Sequence, residues 1–180
     1  LATNKLIKNL NEIDIKKISK NEINFFNNKK ILITGVSGII GINLLFFFNK
    51  LNVEKRKNIY VDGTYNTSLF SFVMKYFKRN PKINFFKLNL NKKKIKKNKK
   101  YDIIFHCAGY GQPSKFLKYK SSTYKLNSST IIDLKNNLKK NSKFIYLSTT
   151  EIYSGNEKKC TEESVGNTGS THPRSAYIDS

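Results

Sequence analysis

The stretch Ile31-Leu-Ile-Thr-Gly-Val-Ser-Gly-Ile-Ile-Gly41 decides the fold, because it joins a short apolar run to a second apolar segment through closely spaced glycines. Glycine allows a sharp turn, a close approach of the backbone to a ligand, and tight packing of a helix on a strand. We therefore predict a buried strand, a tight turn and a helix whose N-terminus binds a pyrophosphate through its free N–H groups and its dipole. The alternative is a turn that binds nothing. The residues predicted to contact a cofactor here are Gly35, Gly38, Ile39, Ile40 and Gly41.

Composition limits the functions that the chain can have. Its 180 residues suffice for one domain, and a hydrophobic fraction of 38% argues against disorder. The net charge of +22 is nearly all lysine, and arginine, the residue suited to bidentate recognition of phosphates and bases, occurs only at positions 56, 79 and 174. We therefore predict no nucleic-acid partner. The alternative, a basic nucleic-acid binder, would show binding that depends steeply on salt concentration.

The cysteines and the apolar runs bear on location. Only Cys107 and Cys160 are present, at a spacing unlike that of metal ligands, so we predict no metal site and a cytoplasmic protein. No apolar run reaches the roughly 20 residues that span a bilayer, and we predict no membrane partner.

Apolar and polar segments alternate along the rest of the chain. The predicted strands cover residues 30–34, 58–62, 83–89, 102–107 and 143–148. The predicted helices cover residues 39–51, 68–79, 92–97 and 114–140, with a helical extension over 1–29 and a last helix after Pro173. This alternation predicts an α/β fold, a doubly wound parallel sheet with helices on both faces. Ligands of such sheets bind beyond the carboxyl ends of the strands.

Asp62 is predicted to end the second strand, about 20 residues after Gly41. A carboxylate at such a place accepts hydrogen bonds from an adenosine ribose and disfavours a 2′-phosphate. Because no basic residue follows in 63–67, NAD is favoured over NADP. The alternative is an ordinary aspartate in a turn.

Five motifs stand in the order and spacing of a known family. They are Thr34-Gly-Val-Ser-Gly-Ile-Ile-Gly41, His106-Cys-Ala-Gly109, Asn127, Ser148-Thr-Thr-Glu-Ile-Tyr153 and Pro173-Arg-Ser-Ala-Tyr177. Over roughly residues 30–180 the chain resembles the extended short-chain dehydrogenase/reductase family of nucleotide-sugar epimerases, dehydratases and decarboxylases. The resemblance implies a Rossmann-like domain that binds NAD, with the backbone of Ala108 and Gly109 beside the cofactor.

The resemblance implies that Tyr177 is the catalytic base and that Thr149 orients the substrate. A tyrosine with a pKa near 10 is a poor base at neutral pH, but a lysine four residues later shares its helix face and favours the phenolate. Tyr177 would remove a proton from a sugar hydroxyl while hydride passes to NAD, and Thr149 would hydrogen-bond the same oxygen. A slip of one residue would give this role to Ser148 or Thr150 instead.

The position of that lysine would follow Ser180 directly. We therefore expect residues 30–180 to be the NAD-binding part of a longer enzyme, ending before the lysine and before a C-terminal sugar-binding part. The fragment alone is expected to be inactive.

Glu151 helps to choose among the reactions of the family. Dehydratases have Asp-Glu after the catalytic Ser or Thr, decarboxylases have Ser-Glu or similar, and this chain has Thr150-Glu151. With Pro173-Arg174, this is most similar to the UDP-glucuronate decarboxylases, which implies oxidation at C4 of a UDP-uronic acid and loss of carbon dioxide. A 4,6-dehydratase or a 4-epimerase is the alternative, and a non-catalytic NAD-binding module is an alternative of another class. The residues expected at the nucleotide sugar are Thr149, Thr150, Glu151 and Arg174, with Glu151 also catalytic.

The resemblance implies weaker roles for other residues. Asn89 and Leu90 stand where the family has Asp-Leu beside the adenine, and Asn127 matches an asparagine that orders the active site. His106, at the end of a buried strand, is interpreted as a satisfied core histidine and not as a catalyst. The resemblance also implies a homodimer, because the helices around 114–140 and after Pro173 commonly pair across a two-fold axis in the family.

Overall fold

The computed structural model of the chain describes residues 9–10, 12–153, 159–166, 168–169 and 171–180. Its strands are β1 (Lys30–Thr34), β2 (Tyr60–Tyr65), β3 (Ile83–Lys87), β4 (Tyr101–His106) and β5 (Leu138–Tyr146). Its α-helices are α1 (Lys20–Phe25), α2 (Ile39–Glu54), α3 (Ser71–Phe77), α4 (Pro113–Lys118), α5 (Lys120–Asn127), α6 (Ser129–Lys135) and α7 (Ser175–Ile178). A 3₁₀ helix spans Thr150–Tyr153. None of the helices in these residues is both long and apolar enough to cross a membrane.

The five strands form one parallel sheet in the order β3-β2-β1-β4-β5. From β1 the chain moves outward to β3 on one side, and then returns to the centre and moves outward through β4 and β5. This is the doubly wound α/β arrangement that the sequence predicts. The crevice of such a sheet lies at the carboxyl ends of the two central strands, and the glycine turn follows one of them directly.

The core lies on both faces of the sheet, because successive strand residues face opposite ways. Ile31 and Ile33 of β1 pack in one cluster with α2, whereas Leu32 packs in a second cluster with Ile104 on the other face. Helix α2 is apolar on most sides, and full burial of each large side chain contributes about 1.5–3 kcal/mol. Its buried residues are Gly41, Ile42, Leu45, Phe46, Phe48, Asn49 and Leu51.

The N-terminal segment, predicted as a helical extension, contains α1 and packs into this first cluster. Its contribution consists of Leu10, Ile15 and Ile23. Residues 1–8 and 11 of that prediction lie outside the described part of the chain.

Several predicted elements have other bounds in the structure. β2 continues to Tyr65 because Gly63 belongs to the strand, where a Cβ would lie 2.9 Å from Cγ1 of Val36. Residues 92–97 form an irregular segment with a turn at each end instead of the predicted helix, since Ile95 is the single buried side chain of this lysine-rich segment. The helix predicted over 114–140 is divided into α4, α5 and α6, and β5 begins well before residue 143.

Candidate functional site

The glycine turn after β1 is packed directly against the chain that leaves β4. Gly35 has a φ of +73°, a left-handed conformation that favours glycine. A Cβ on Gly35 would lie 2.9 Å from the Cα of Ala108, and a Cβ on Gly41 would overlap the carbonyl oxygen of Gly35. A side chain at either place would push the turn away from β4 or away from α2.

The N-terminus of α2 is open to a ligand. Its N-cap, Gly38, makes no side-chain capping hydrogen bond, and the side chains of Ile39 and Ile40 are 79% and 47% exposed. The first N–H groups of a helix have no acceptor within the helix, and the dipole makes this end positive. A pyrophosphate would supply the missing acceptors.

Thr34 and His106, at the ends of β1 and β4, form a hydrogen-bond network in which each donor can be assigned. His106 Nε2 lies 2.8 Å from the carbonyl oxygen of Leu126, which only accepts, so Nε2 carries the hydrogen. Nδ1 of the ring therefore accepts from Thr34 Oγ1, at 2.8 Å. The same Oγ1 accepts the backbone N–H groups of Cys107 and Ala108, both at 3.2 Å.

This network fixes the backbone beside the glycine turn. The Thr34 hydroxyl uses its one hydrogen and both of its lone pairs, and the imidazole uses both nitrogens. Burial lowers the pKa of His106, which favours the neutral ring that the network requires. His106 is thus a satisfied core histidine, in agreement with the interpretation of the sequence.

A cleft lies at the carboxyl ends of β4 and β5. Its lining includes Ile40 near the start of α2, Ala108 and Gly109 after β4, and Thr149 and Tyr177. The Thr149 hydroxyl accepts the N–H of Glu151 at 3.2 Å, which leaves its hydrogen available to donate to a substrate oxygen. The neighbouring Thr150 is exposed and begins the 3₁₀ helix, outside the lining of the cleft.

Tyr177 is held by ring stacking. Its ring lies parallel to that of Phe116 in α4, with 4.3 Å between the centroids and an interplanar angle of 6°. Tyr146, at the end of β5, also lines the cleft and stacks on His106 at 5.8 Å. The pKa of Tyr146 is raised, first by burial and then by the charge of Tyr177, so the two phenol groups are electrostatically coupled.

Glu151 and Arg174 form an ion pair next to this stack. Arg174 Nη1 donates to Glu151 Oε1 at 2.7 Å, and both side chains are partly exposed. The guanidinium carbon also lies 5.8 Å from the ring centroid of Phe116, in a cation–π arrangement. Glu151 is thereby connected to Tyr177 through Arg174 and Phe116.

Asn127, at the end of α5, links three parts of the cleft. Its side chain is buried, and its Nδ2 donates to Ser180 Oγ at 3.0 Å. Its Oδ1 lies 3.5 Å from the place that a Cβ on Gly109 would occupy. The residue therefore holds the turn after β4 and the chain after α7 together.

Comparison with known proteins agrees with this geometry. Residues 31–180 match the model of the NAD dependent epimerase/dehydratase family. The chain belongs to this family. One relative in it, the bifunctional polymyxin resistance protein ArnA of Wigglesworthia glossinidia brevipalpis, is 32% identical over 155 residues, which are 82% of this chain and 22% of the relative.

Solved structures share the fold of this family member. DesIV, a dTDP-glucose 4,6-dehydratase from Streptomyces venezuelae, has a TM-score of 0.63 and 16% identity, and the match covers 83% of this chain and 49% of that one. The UDP-Glc/GlcNAc 4-epimerase from Campylobacter jejuni has a TM-score of 0.57 and 20% identity, with 83% and 46% covered. The chain therefore spans less than half the length of each of these relatives.

NAD is the cofactor of the epimerase/dehydratase family, and the residues of the glycine turn fit a dinucleotide. The space that side chains on Gly35 and Gly41 would need is taken up by backbone, so only glycine fits at these two positions of the turn. The uncapped end of α2 beside it supplies donors for a diphosphate. In the part of the chain that the structure describes, no group of three or more His, Cys, Asp or Glu side chains could hold a metal ion.

The structure corrects the position predicted for Asp62. This residue is the third of β2 and not its last, and it is only 4% exposed. Its carboxylate accepts from Tyr101 Oη at 2.7 Å, from Lys99 Nζ at 3.1 Å and from Asn84 Nδ2 at 3.4 Å. Because the donors surround it inside the fold, the carboxylate is not available to a ribose.

Asn89 and Leu90 lie in the loop after β3, where an adenine was predicted. Asn89 Oδ1 accepts the N–H of Asn91 at 3.0 Å, and its carbonyl oxygen accepts from Lys92 and Lys93. Leu90 packs against the second core cluster. The two residues shape this loop, and their contact with adenine stays a prediction.

Phe116 and Tyr146 belong to the site but were not singled out from the sequence. Tyr146 could have been found by strand periodicity, because it lies on the same face of β5 as Phe144, two residues before, which also contacts His106. Phe116 gave no comparable signal, since its partners Arg174 and Tyr177 lie far along the chain.

Proposed function

We propose that the chain is the cofactor-binding and catalytic part of an NAD-dependent enzyme that decarboxylates a UDP-uronic acid after oxidation at C4. The single observation that supports this most is the cleft that Thr149 and Tyr177 line together with Ile40 of α2 and the Ala108–Gly109 backbone. Such an arrangement brings a hydroxyl donor, a phenol and a dinucleotide site together at one edge of the sheet.

Tyr177 acts as the base and Thr149 orients the substrate in this proposal. The glycine turn and the start of α2 would hold NAD, which would supply the hydride acceptor for C4 of the sugar. The phenolate oxygen of Tyr177 removes the proton of the 4-hydroxyl of the sugar. Thr149 donates its free hydroxyl hydrogen to the 4-oxygen of the sugar. The stack on Phe116 fixes the ring of Tyr177, so that little rotational freedom is lost when the substrate binds.

Glu151 and Arg174 favour decarboxylation over the other reactions of the family. Oxidation at C4 turns a uronic acid into a β-keto acid, which releases carbon dioxide without a strong general acid. Loss of water needs a general acid beside the leaving hydroxyl, whereas the carboxylate of Glu151 is already engaged by the guanidinium of Arg174 at 2.7 Å. Arg174 lies over the ring of Phe116, which stacks on Tyr177, and its guanidinium would suit a substrate that itself carries a carboxylate.

The test is turnover of the full-length protein with NAD and UDP-glucuronate. Release of carbon dioxide together with a UDP-pentose supports the proposal. Tyr177→Phe should reduce kcat by at least ~10²-fold and leave the Kd of NAD within a factor of about three, because a base contributes about 10²–10⁴-fold. Tyr60→Phe is the matched control, since Tyr60 is exposed and begins β2, so that it lies at the amino ends of the strands, far from the cleft.

The alternatives predict different products. Turnover of dTDP-glucose or UDP-glucose without carbon dioxide would select a 4,6-dehydratase or a 4-epimerase. Binding of NAD with no turnover of any nucleotide sugar would select the non-catalytic module.

We also propose that the full-length protein is a homodimer in the cytoplasm. Exposed apolar residues on α4–α6 support the dimer, and the test of the dimer is the molar mass in light scattering. These residues are Leu117, Tyr124 and Ile132.

A further inference from the structure

The register of the sheet fixes which residues of β2 can meet a dinucleotide. Thr34, the last residue before the glycine turn, is paired with Thr64, whereas Asp62 is paired with Leu32. The carboxyl end of β2 is therefore at Tyr65, three residues beyond Asp62 and about 10 Å along the strand at about 3.3 Å per residue.

Asp62 also faces the wrong side of the sheet. It hydrogen-bonds Tyr101, which belongs with Leu32 and Ile104 to the second core cluster. Helix α2 and the first core cluster lie on the opposite face. Asp62 therefore lies too far from the carboxyl end of β2, and on the wrong face of the sheet, to reach a ligand at the N-terminus of α2.

The residues that do stand at this edge carry no negative charge. In the fully described stretch from 63 to 70 there is no Asp or Glu, and Asn66, Thr67 and Ser68 are exposed. The register pairs Tyr65 with Lys87, the exposed last residue of β3, so an ammonium group stands on the strand next to this end of β2.

A carboxylate at the end of β2 is what normally excludes a 2′-phosphate from the adenosine ribose, through repulsion and through hydrogen bonds to the 2′-hydroxyl. We propose that this site accepts NADP as well as NAD, with Asn66 and Ser68 as hydrogen-bond partners of the 2′-phosphate and Lys87 as its counter-charge. The inference rests on the dinucleotide site of the proposed function but not on its sugar substrate.

Binding, measured by calorimetry on the full-length protein, tests the proposal independently of turnover. NAD and NADP should bind with Kd values within about threefold of each other, because no group at the edge repels the additional phosphate. Asn66→Asp should weaken NADP by at least ~10-fold and leave NAD within about threefold. Tenfold in Kd corresponds to about 1.4 kcal/mol, which is less than the repulsion between like charges a few ångströms apart near a protein surface.

Three further variants separate the roles of the charged groups. Lys87→Gln should weaken NADP several-fold and leave NAD unchanged, whereas Lys140→Gln, an exposed lysine on the far edge strand β5, should change neither. Asp62→Asn should lower stability and leave the ratio of the two Kd values unchanged.

The outcomes distinguish this inference from the function on which it rests. Binding of NAD at least ~30-fold tighter than NADP by the wild-type protein would overturn the inference and leave the proposed function intact. A change of that ratio in Asp62→Asn would also overturn it. Binding of neither dinucleotide would refute the proposed function as well.

Discussion

Replacing Thr34 by valine tests whether one hydroxyl organises the cofactor edge of the sheet. Valine has nearly the same shape, so the change removes Oγ1 without leaving a cavity. Three groups lose their partner: Nδ1 of His106 and the N–H groups of Cys107 and Ala108. Leaving a buried polar group unsatisfied costs about 1–3 kcal/mol. Because water from the cleft can reach the two N–H groups, we expect about 1 kcal/mol for each of the three groups. The free energy of unfolding should therefore fall by about 3 kcal/mol in total.

The assay is urea unfolding of the full-length protein, together with calorimetric binding of NAD. Thr34→Ser is the matched control, because it keeps Oγ1 and removes one methyl group, a change that costs about 1 kcal/mol. We expect the valine variant to be less stable than the serine variant and to bind NAD more weakly, since the backbone of Ala108 is no longer fixed. Equal stability of the two variants within about 0.5 kcal/mol would refute the network as the organising element.

The same network gives the stability a defined dependence on pH. The pKa of His106 is lowered in the folded protein, so the unfolded chain binds a proton first as the pH falls. The contribution of His106 is therefore fully present above its ordinary pKa of about 6.5 and is lost as the pH falls below that value. The advantage of the wild type over His106→Gln, which does not titrate, should shrink between pH 7.5 and 5 in urea unfolding. An advantage that stays constant across this range would contradict the assignment of a neutral ring.

Three further predictions concern single residues. Gly41→Ala should lower both stability in urea unfolding and the calorimetric affinity for NAD, because the new Cβ would lie 2.8 Å from the Cα of Val36. Gly111→Ala is the control, since Gly111 has open space around it and its substitution should change neither quantity. Tyr101→Phe should cost about 1–3 kcal/mol in urea unfolding by removing the closest donor to buried Asp62, with no effect on the Kd of NAD. Burial raises the pKa of the Cys107 thiol to about 12, so its alkylation by iodoacetamide at pH 7.5, followed by mass spectrometry, should be at least ~10²-fold slower than that of a model thiol.

The sequence predicts those parts of the fold that depend on neighbouring residues. β1 has the predicted bounds, because its apolar run is short and glycine ends it. The doubly wound sheet follows from the alternation of segments, and the closely packed turn follows from the glycines at 35 and 41. In each case the decisive interactions lie within a few positions of the signal.

The position predicted for Asp62 was wrong for a reason that local sequence cannot reveal. The strand was predicted to end at Asp62, at the spacing from Gly41 that a ribose-binding carboxylate has. Gly63 instead continues the strand and makes room for Val36. The donors that allow a carboxylate to be buried, Lys99 and Tyr101, come from a segment that meets β2 only in the folded chain.

Asp62 also shows that a charged residue at the right spacing can serve the core instead of the ligand. A buried carboxylate with a single donor would be strongly destabilising, but here a phenol, an amide and an ammonium group surround it, and Lys99 is itself held over the ring of Phe86 at 4.6 Å. We therefore propose that the spacing of Asp62 from the glycine turn does not set the choice of coenzyme in this chain. In the proposal, that choice depends on the charge of the residues beside Tyr65, where β2 ends. Comparing the Kd of NAD with that of NADP, which differs by the 2′-phosphate, therefore tests whether Asp62 contacts the ribose or serves only the core.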